Sequence, residues 1–152
     1  YLNLLEISYQ LVRLGSYAVN RTRRMIKSPK LYWNDVGLSL HLGGGEPGGS
    51  QLENMVVADL LAWRDGQIPR PEIMYWRTAT GLEVDLVIQK GGQMIPIEIK
   101  ASPRMSSRDV RGLATFRDDY PKEFRGGLLL HTGEDAFWIS DRILAVPWNR
   151  II

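Results

Sequence analysis

The 152-residue chain has no cysteine, which excludes disulfide bridges and thiolate metal ligands together. Histidine is scarce: His41 and His131 stand alone, without partners at ligand spacing, and read as structural residues. No apolar run approaches the roughly 18 residues that a membrane span needs, so no membrane partner is expected. The first residues lack the charged-then-apolar pattern of a secretory leader, and a reducing cytoplasm is the expected compartment. Strong net charge is missing as well. At +2, with a pI near 9.0, the total gives no argument of its own for a nucleic-acid partner.

What is present is an ordinary globular composition, 44% hydrophobic and 24% charged, in a length that suits one main domain with a fragment attached. The chain opens at Tyr1 directly on a helical pattern, as expected of a piece of a longer protein or of one that lacks a disordered start. Leu2, Leu5, Tyr9 and Val12 recur at three- and four-residue intervals, predicting a helix over 2–14 stopped by Gly15. "YAVNR" and "KLYWND" are β-like, and "VGLSLHL" fits a helix or a strand. Between them "NRTRRMIKSPK" carries Arg21, Arg23, Arg24, Lys27 and Lys30 without an acid, either a phosphate-facing patch or a solvated basic loop.

The flexible "GGGEPGGS" divides an N-terminal appendage, residues 1–45, from a main α/β body, residues 46–152. Beyond it, Ser50 and Glu53 have capping-box spacing, and Leu52, Met55, Val56, Leu60 and Trp63 form the stripe of a helix ending near Gly66. "EIMYWRT", "LEVDLVIQ" and "QMIPIEIK" are strands, and "SSRDVRGLATFRDDY" is a helix ended by Pro121. "GGLLLHT" is a buried strand, followed by two shorter ones in "AFWISD" and "ILAVPW". The expected architecture is a mixed sheet with a helix on each side.

One connection concentrates the chemistry. If Gly91-Gly92 is a two-residue hairpin turn, Lys90 pairs with Gln93 and the same register brings Asp85 opposite Glu98. Val84, Leu86 and Ile88 then share an apolar face with Ile95, Ile97 and Ile99, while Glu83, Asp85 and Val87 share the other with Glu98 and Lys100. Opposed carboxylates repel unless something neutralises them, and Mg²⁺ or Mn²⁺ accepts such oxygen ligands. Lys100 points the same way, placed to orient or deprotonate a water or to offset charge in phosphodiester hydrolysis. The plainer alternative is a solvated strand face on which Lys100 neutralises Glu98. Arg77 lies one strand away, within reach of a phosphate or simply stacked on an aromatic neighbour. Arg104, Arg108 and Arg111 begin the next helix, as a DNA-backbone contact or a solvated face. The five tryptophans are scattered, as core or interface residues.

"GLEVDLVI", a glycine turn and "IPIEIKAS", with an upstream helix bearing Glu53, resemble the PD-(D/E)XK nuclease superfamily. The run from "SPKLYWNDVGL" through "LENMVVADLL", "YWRTATGLEVDLVI" and "IEIKAS" resembles, over nearly the whole chain, the DUF4143 domain at the C-terminus of prokaryotic AAA-type ATP-binding proteins. The resemblance implies a restriction-endonuclease-like αβββαβ core whose site is Asp85, Glu98 and Lys100, with Glu53 completing a Mg²⁺ or Mn²⁺ shell or else capping its helix. Val84 stands where the superfamily's name has proline. It also implies an upstream ATPase module and winged-helix segment, with residues 1–20 as the tail of that region and a candidate dimer contact. "GGGEPGGS" lacks the Gly-Lys-Ser/Thr ending of a phosphate-binding loop, so this chain is not expected to bind nucleotide. The expected activity is metal-dependent phosphodiester hydrolysis of nucleic acid, DNA first. The alternative is a catalytically inactive module for DNA or protein contact, or for regulation or dimerisation of the ATPase.

Overall fold

The computed structural model describes residues 1–17 and 28–151. Arg21, Arg23, Arg24 and Lys27, and all of "YAVNR" but Tyr17, lie outside them. A short helix α1 (Leu2–Ile7) leads into a ribbon of β1 (Leu11–Leu14) and β2 (Lys30–Trp33), and helix α2 (Val36–Leu42) follows. The body is α3 (Gly49–Asp65), β3 (Glu72–Arg77), β4 (Glu83–Lys90), β5 (Gln93–Lys100), α4 (Arg111–Asp119), β6 (Gly127–His131), β7 (Phe137–Ser140) and β8 (Ile143–Pro147), closed by a 3₁₀ turn at Trp148–Arg150.

The body strands form one six-stranded sheet in the order β3-β4-β5-β6-β8-β7. Its β5-β6 and β6-β8 pairs are parallel and the others antiparallel, so the sheet is mixed as expected. Each face is sealed by one helix. On the α3 side Val56, Val57, Leu60 and Leu61 pack on Leu86, Ile97, Ile99 and Leu130, joined by Leu14 and Tyr32 of the ribbon. On the α4 side Leu113 and Phe116 pack on Trp76, Val84, Val87, Met94 and Leu129. Phe116 is fully buried and meets the Trp76 ring edge-on at 5.4 Å. Burying one such side chain contributes about 1.5–3 kcal/mol.

Several expectations need correction. The helix expected over 2–14 ends at Ile7, because Leu11–Leu14 instead pairs with Lys30–Trp33, a non-local ladder that outcompetes local periodicity. "VGLSLHL" is a helix, started by the Asp35 side chain accepting the Leu38 N–H at 2.8 Å. Helix α3 starts at Gly49, ahead of Ser50. Gln51, not Glu53, accepts the Gly48 N–H at 3.0 Å, so no Ser50–Glu53 capping box forms and the Glu53 carboxylate is released for other use. Trp63 is 44% exposed, outside the buried stripe. Helix α4 starts only at Arg111. Asp109 accepts both the backbone and hydroxyl donors of Ser106 at 2.7 Å and holds the preceding residues in a loop, so Arg104 and Arg108 are not helical.

Helix α4 approaches β4 closely at Gly112, where an added Cβ would stand 2.2 Å from the Glu83 carbonyl oxygen. Only a residue without a side chain fits there. Gly112→Ala is expected to cost about 2 kcal/mol by forcing α4 off the sheet. Urea denaturation would check this, and an unchanged midpoint would contradict the tight contact.

Candidate metal and carboxylate site

The hairpin forms in the expected register from Lys90 to Leu86, stopping short of the expected Asp85–Glu98 pair. Gly91 and Gly92 both have positive φ, +59° and +78°, as a two-residue turn matched to strand twist requires. Pairing runs from Lys90 with Gln93 to Leu86 with Ile97. One step further the ladder opens: the Asp85 carboxylate accepts the Ile99 N–H through Oδ2 at 2.9 Å, where a backbone bond would otherwise lie.

The cause is on the other side of β4. Its register with β3 slips by one residue between Met74 and Trp76, leaving Asp85 and Leu86 as a bulge. The face expected for the residues before the bulge is therefore corrected. Val84 packs with Val87 on the α4 side, while Leu86 and Ile88 lie on the α3 side. Asp85 is turned so that its second oxygen, Oδ1, reaches Lys30 of β2 at 3.1 Å.

Lys30 organises the cluster. Its ammonium also meets Glu53 at 3.0 Å and Glu83 at 2.5 Å, so one cation faces three carboxylates. The ribbon that carries it is pinned to α3 by buried Asn54, which accepts the Trp33 N–H at 2.8 Å and donates to the Trp33 carbonyl at 2.7 Å. Alternation along β2 puts Tyr32 on the same face as Lys30, and its hydroxyl donates to Glu53 at 2.6 Å. Burial and the bond to Glu53 push the Tyr32 hydroxyl pKa up. Burial alone would lower the Lys30 ammonium, but Asp85 and Glu83 outweigh it and the net shift is upward, so Lys30 stays charged.

The second half of the site is the Glu-x-Lys pair on β5. Lys100 Nζ meets Glu98 Oε1 at 2.6 Å. Glu98 is 9% exposed, and its other oxygen, Oε2, has no hydrogen-bond partner among the described residues. Burial, then repulsion from Asp85, raises the Glu98 pKa to about 7 despite Lys100. Burial, then Glu53, raises Asp85 as well. Burial lowers Lys100, yet the bond to Glu98 and the charges of Glu98 and Asp85 carry it upward overall.

The structure thus brings together Asp85, Glu53, Glu98 and Lys100, and adds Lys30, Tyr32 and Glu83. Arg77 stands next to them, 3.5 Å from the outer oxygen of Glu83. Arg104, Arg108 and Arg111 are exposed in the loop after β5 and at the start of α4. His41 is exposed on α2; His131, beside Lys100 in register, is buried and accepts the Gly133 N–H through Nδ1 at 2.9 Å. Lys30 was concealed in a basic run, and only its alternation with Tyr32 hinted at a shared face.

Four carboxylates face two ammonium groups here, leaving negative charge in excess that Arg77 offsets only at the edge. An all-oxygen donor set with a surplus of negative charge suits a hard divalent cation. Among the described residues no group of three or more His, Asp or Glu side chains is gathered at metal-holding geometry. Lys30 fills the space between Glu53, Glu83 and Asp85.

A family model for a domain of unknown function, DUF4143, matches residues 48–151, most of the chain. The chain belongs to the DUF4143 family. A second model, for the domain of unknown function DUF8612, matches residues 1–48. Uncharacterised proteins of Mycobacterium bovis and Mycobacterium tuberculosis are each 28% identical over 162 aligned positions that cover 100% of this chain and 35% of theirs. The DUF4143 chain thus spans about a third of the length of those relatives. No solved structure matches it. Among its described residues no helix is long and apolar enough to cross a membrane.

Proposed function

We propose that this DUF4143 domain is a metal-dependent nuclease-like module of the PD-(D/E)XK superfamily, with a restriction-endonuclease-like core, that hydrolyses phosphodiester bonds in DNA. The observation that carries the reading is a buried Glu98 with one unspent oxygen, repelled by Asp85 where β4 and β5 part, and touched by Lys100. The element order helix, three strands, helix, strand over α3 to β6 supports it. Asp85 and Glu98 would hold Mg²⁺ or Mn²⁺, with Glu53 completing the shell. When bound, the ion supplies a Lewis acid for a phosphoryl oxygen and a more acidic water.

The chain's own residues do the rest. Lys100 is held as an ammonium, which suits it to orient the attacking water and to offset charge in the transition state rather than to take a proton. The exposed Arg104, Arg108 and Arg111 would supply phosphate contacts that set register without reading sequence, and Arg77, beside Glu83, would add a fourth cation. In a longer cytoplasmic parent, an upstream ATPase module would be the partner. The exposed Leu4, Ile7 and Tyr9 of the N-terminal segment are the candidate contact for it or for a second copy.

Lys30 favours a second reading. Three carboxylates that already share an internal ammonium describe a non-catalytic module, using the same fold to contact DNA or protein or to regulate the parent. Calorimetry separates the two. Wild-type protein is expected to bind Mn²⁺ and to cleave plasmid DNA only with Mg²⁺ or Mn²⁺, and Asp85→Ala to abolish both; wild-type protein that binds no Mn²⁺ would leave the non-catalytic reading.

A further inference from the structure

Lys30 is an unusual lysine. Its ammonium is in ion-pair contact with three carboxylates, its side chain is 21% exposed, and its backbone is fixed on both sides, by β1 and by Asn54 through Trp33. A lysine that merely solvates a strand face keeps its rotamers and its water. This one is positioned as a cation in a cluster of oxygens.

Its partners overlap with the proposed ligands. Asp85 Oδ1 and Glu53 Oε1 are both bonded to Lys30, whereas Glu98 Oε2 is buried and has no partner among the described residues. A divalent ion arriving between Asp85 and Glu98 would find Glu98 Oε2 free, Asp85 Oδ1 held by Lys30, Asp85 Oδ2 by the Ile99 N–H and Glu98 Oε1 by Lys100. We propose that Lys30 is the resident counter-cation of this cluster, competing with the divalent ion for Asp85 and Glu53 and so setting the metal affinity of the site. The inference rests on the metal-binding reading above.

There is room for the exchange. Lys30 lines an open groove of about 680 Å³, shared with Tyr32, Trp33, Gln51, Glu53 and Glu83, into which the ammonium can withdraw. Tyr32 then keeps Glu53 in place through its hydroxyl while the lysine is away. A ligand that binds only the lysine-free arrangement has an apparent affinity reduced by the fraction of time that arrangement is available.

The test is titration of the folded protein with Mn²⁺ at pH 7.5, by calorimetry and by the Mn²⁺-induced rise in Tm. Lys30→Met keeps the length of the side chain without its charge. It is expected to bind Mn²⁺ at least about tenfold tighter than wild type, the factor for a lysine that occupies the cluster more than about nine-tenths of the time. If Lys30→Met alone fails to fold, the charge-balanced Lys30→Met/Glu83→Gln variant carries the test, since Glu83 bonds Lys30 and Arg77 but is not a proposed ligand. Tighter binding in these variants, or binding in them alone, supports the competition. Mn²⁺ binding that is no tighter in either folded variant than in wild type overturns it and leaves the metal site standing. No binding by any of the three overturns both.

Discussion

Lys100→Met is expected to slow Mg²⁺-dependent DNA cleavage by about 10²–10³-fold while leaving Mn²⁺ affinity within a few-fold of wild type. Lys100 contributes no oxygen to a metal. It touches Glu98 Oε1 at 2.6 Å, and its raised pKa keeps it charged through the neutral range. In the proposed reaction, removing it would take away a positive charge beside the phosphate, and that loss would fall on the rate. It also leaves Glu98 without its ion partner and so raises the Glu98 pKa further, which is why the two proteins are compared over a pH series rather than at one pH. A purely structural Lys100 would lower stability and metal affinity together with the rate. Unchanged cleavage with normal metal binding would reduce Lys100 to a counter-ion.

The second large effect is on stability against pH, measured without divalent metal. Glu98 has an ordinary carboxyl pKa near 4.5 when unfolded and about 7 when folded, so between those values the folded chain holds a proton that the unfolded chain has released. Stability from this group is therefore fully present below about 4.5 and falls as pH rises through about 7. The shift corresponds to a loss on the order of 3 kcal/mol across the window. Asp85, also raised, acts in the same direction. Glu98→Gln is expected to flatten this part of the profile and to exceed wild type in stability at pH 8. Urea midpoints from pH 4.5 to 8 would measure it, and parallel profiles for the two proteins would contradict the burial penalty. Mn²⁺ should flatten the wild-type profile too, by taking the place of the proton.

Much of this arrangement can be read from local pattern. Gly91-Gly92 set the hairpin register because both positions need positive φ, and period-two alternation marks Ile95, Ile97 and Ile99 as one face of β5. What local pattern cannot carry is set by distant partners. The bulge at Asp85 and Leu86 is imposed by pairing with β3, and it is the bulge that turns Asp85 toward Lys30. The end of α1 at Ile7 is decided by β2, many residues downstream. Lys30 sits 23 positions from Glu53 and 55 from Asp85, so its charge looked like part of a basic run until the fold enclosed it in acids. Glu53 shows the same limit at short range, for Gln51 fills the capping role that Ser50 and Glu53 fit by spacing.

Asp85 and Glu98 are proposed to share a divalent cation, and anomalous scattering from a crystal soaked in Mn²⁺ can locate it. A peak is expected between Asp85 and the free oxygen of Glu98, with Lys30 drawn away from Asp85 into its groove. No peak there, with the Lys30 ammonium still bonded to Glu53, Glu83 and Asp85, would contradict it.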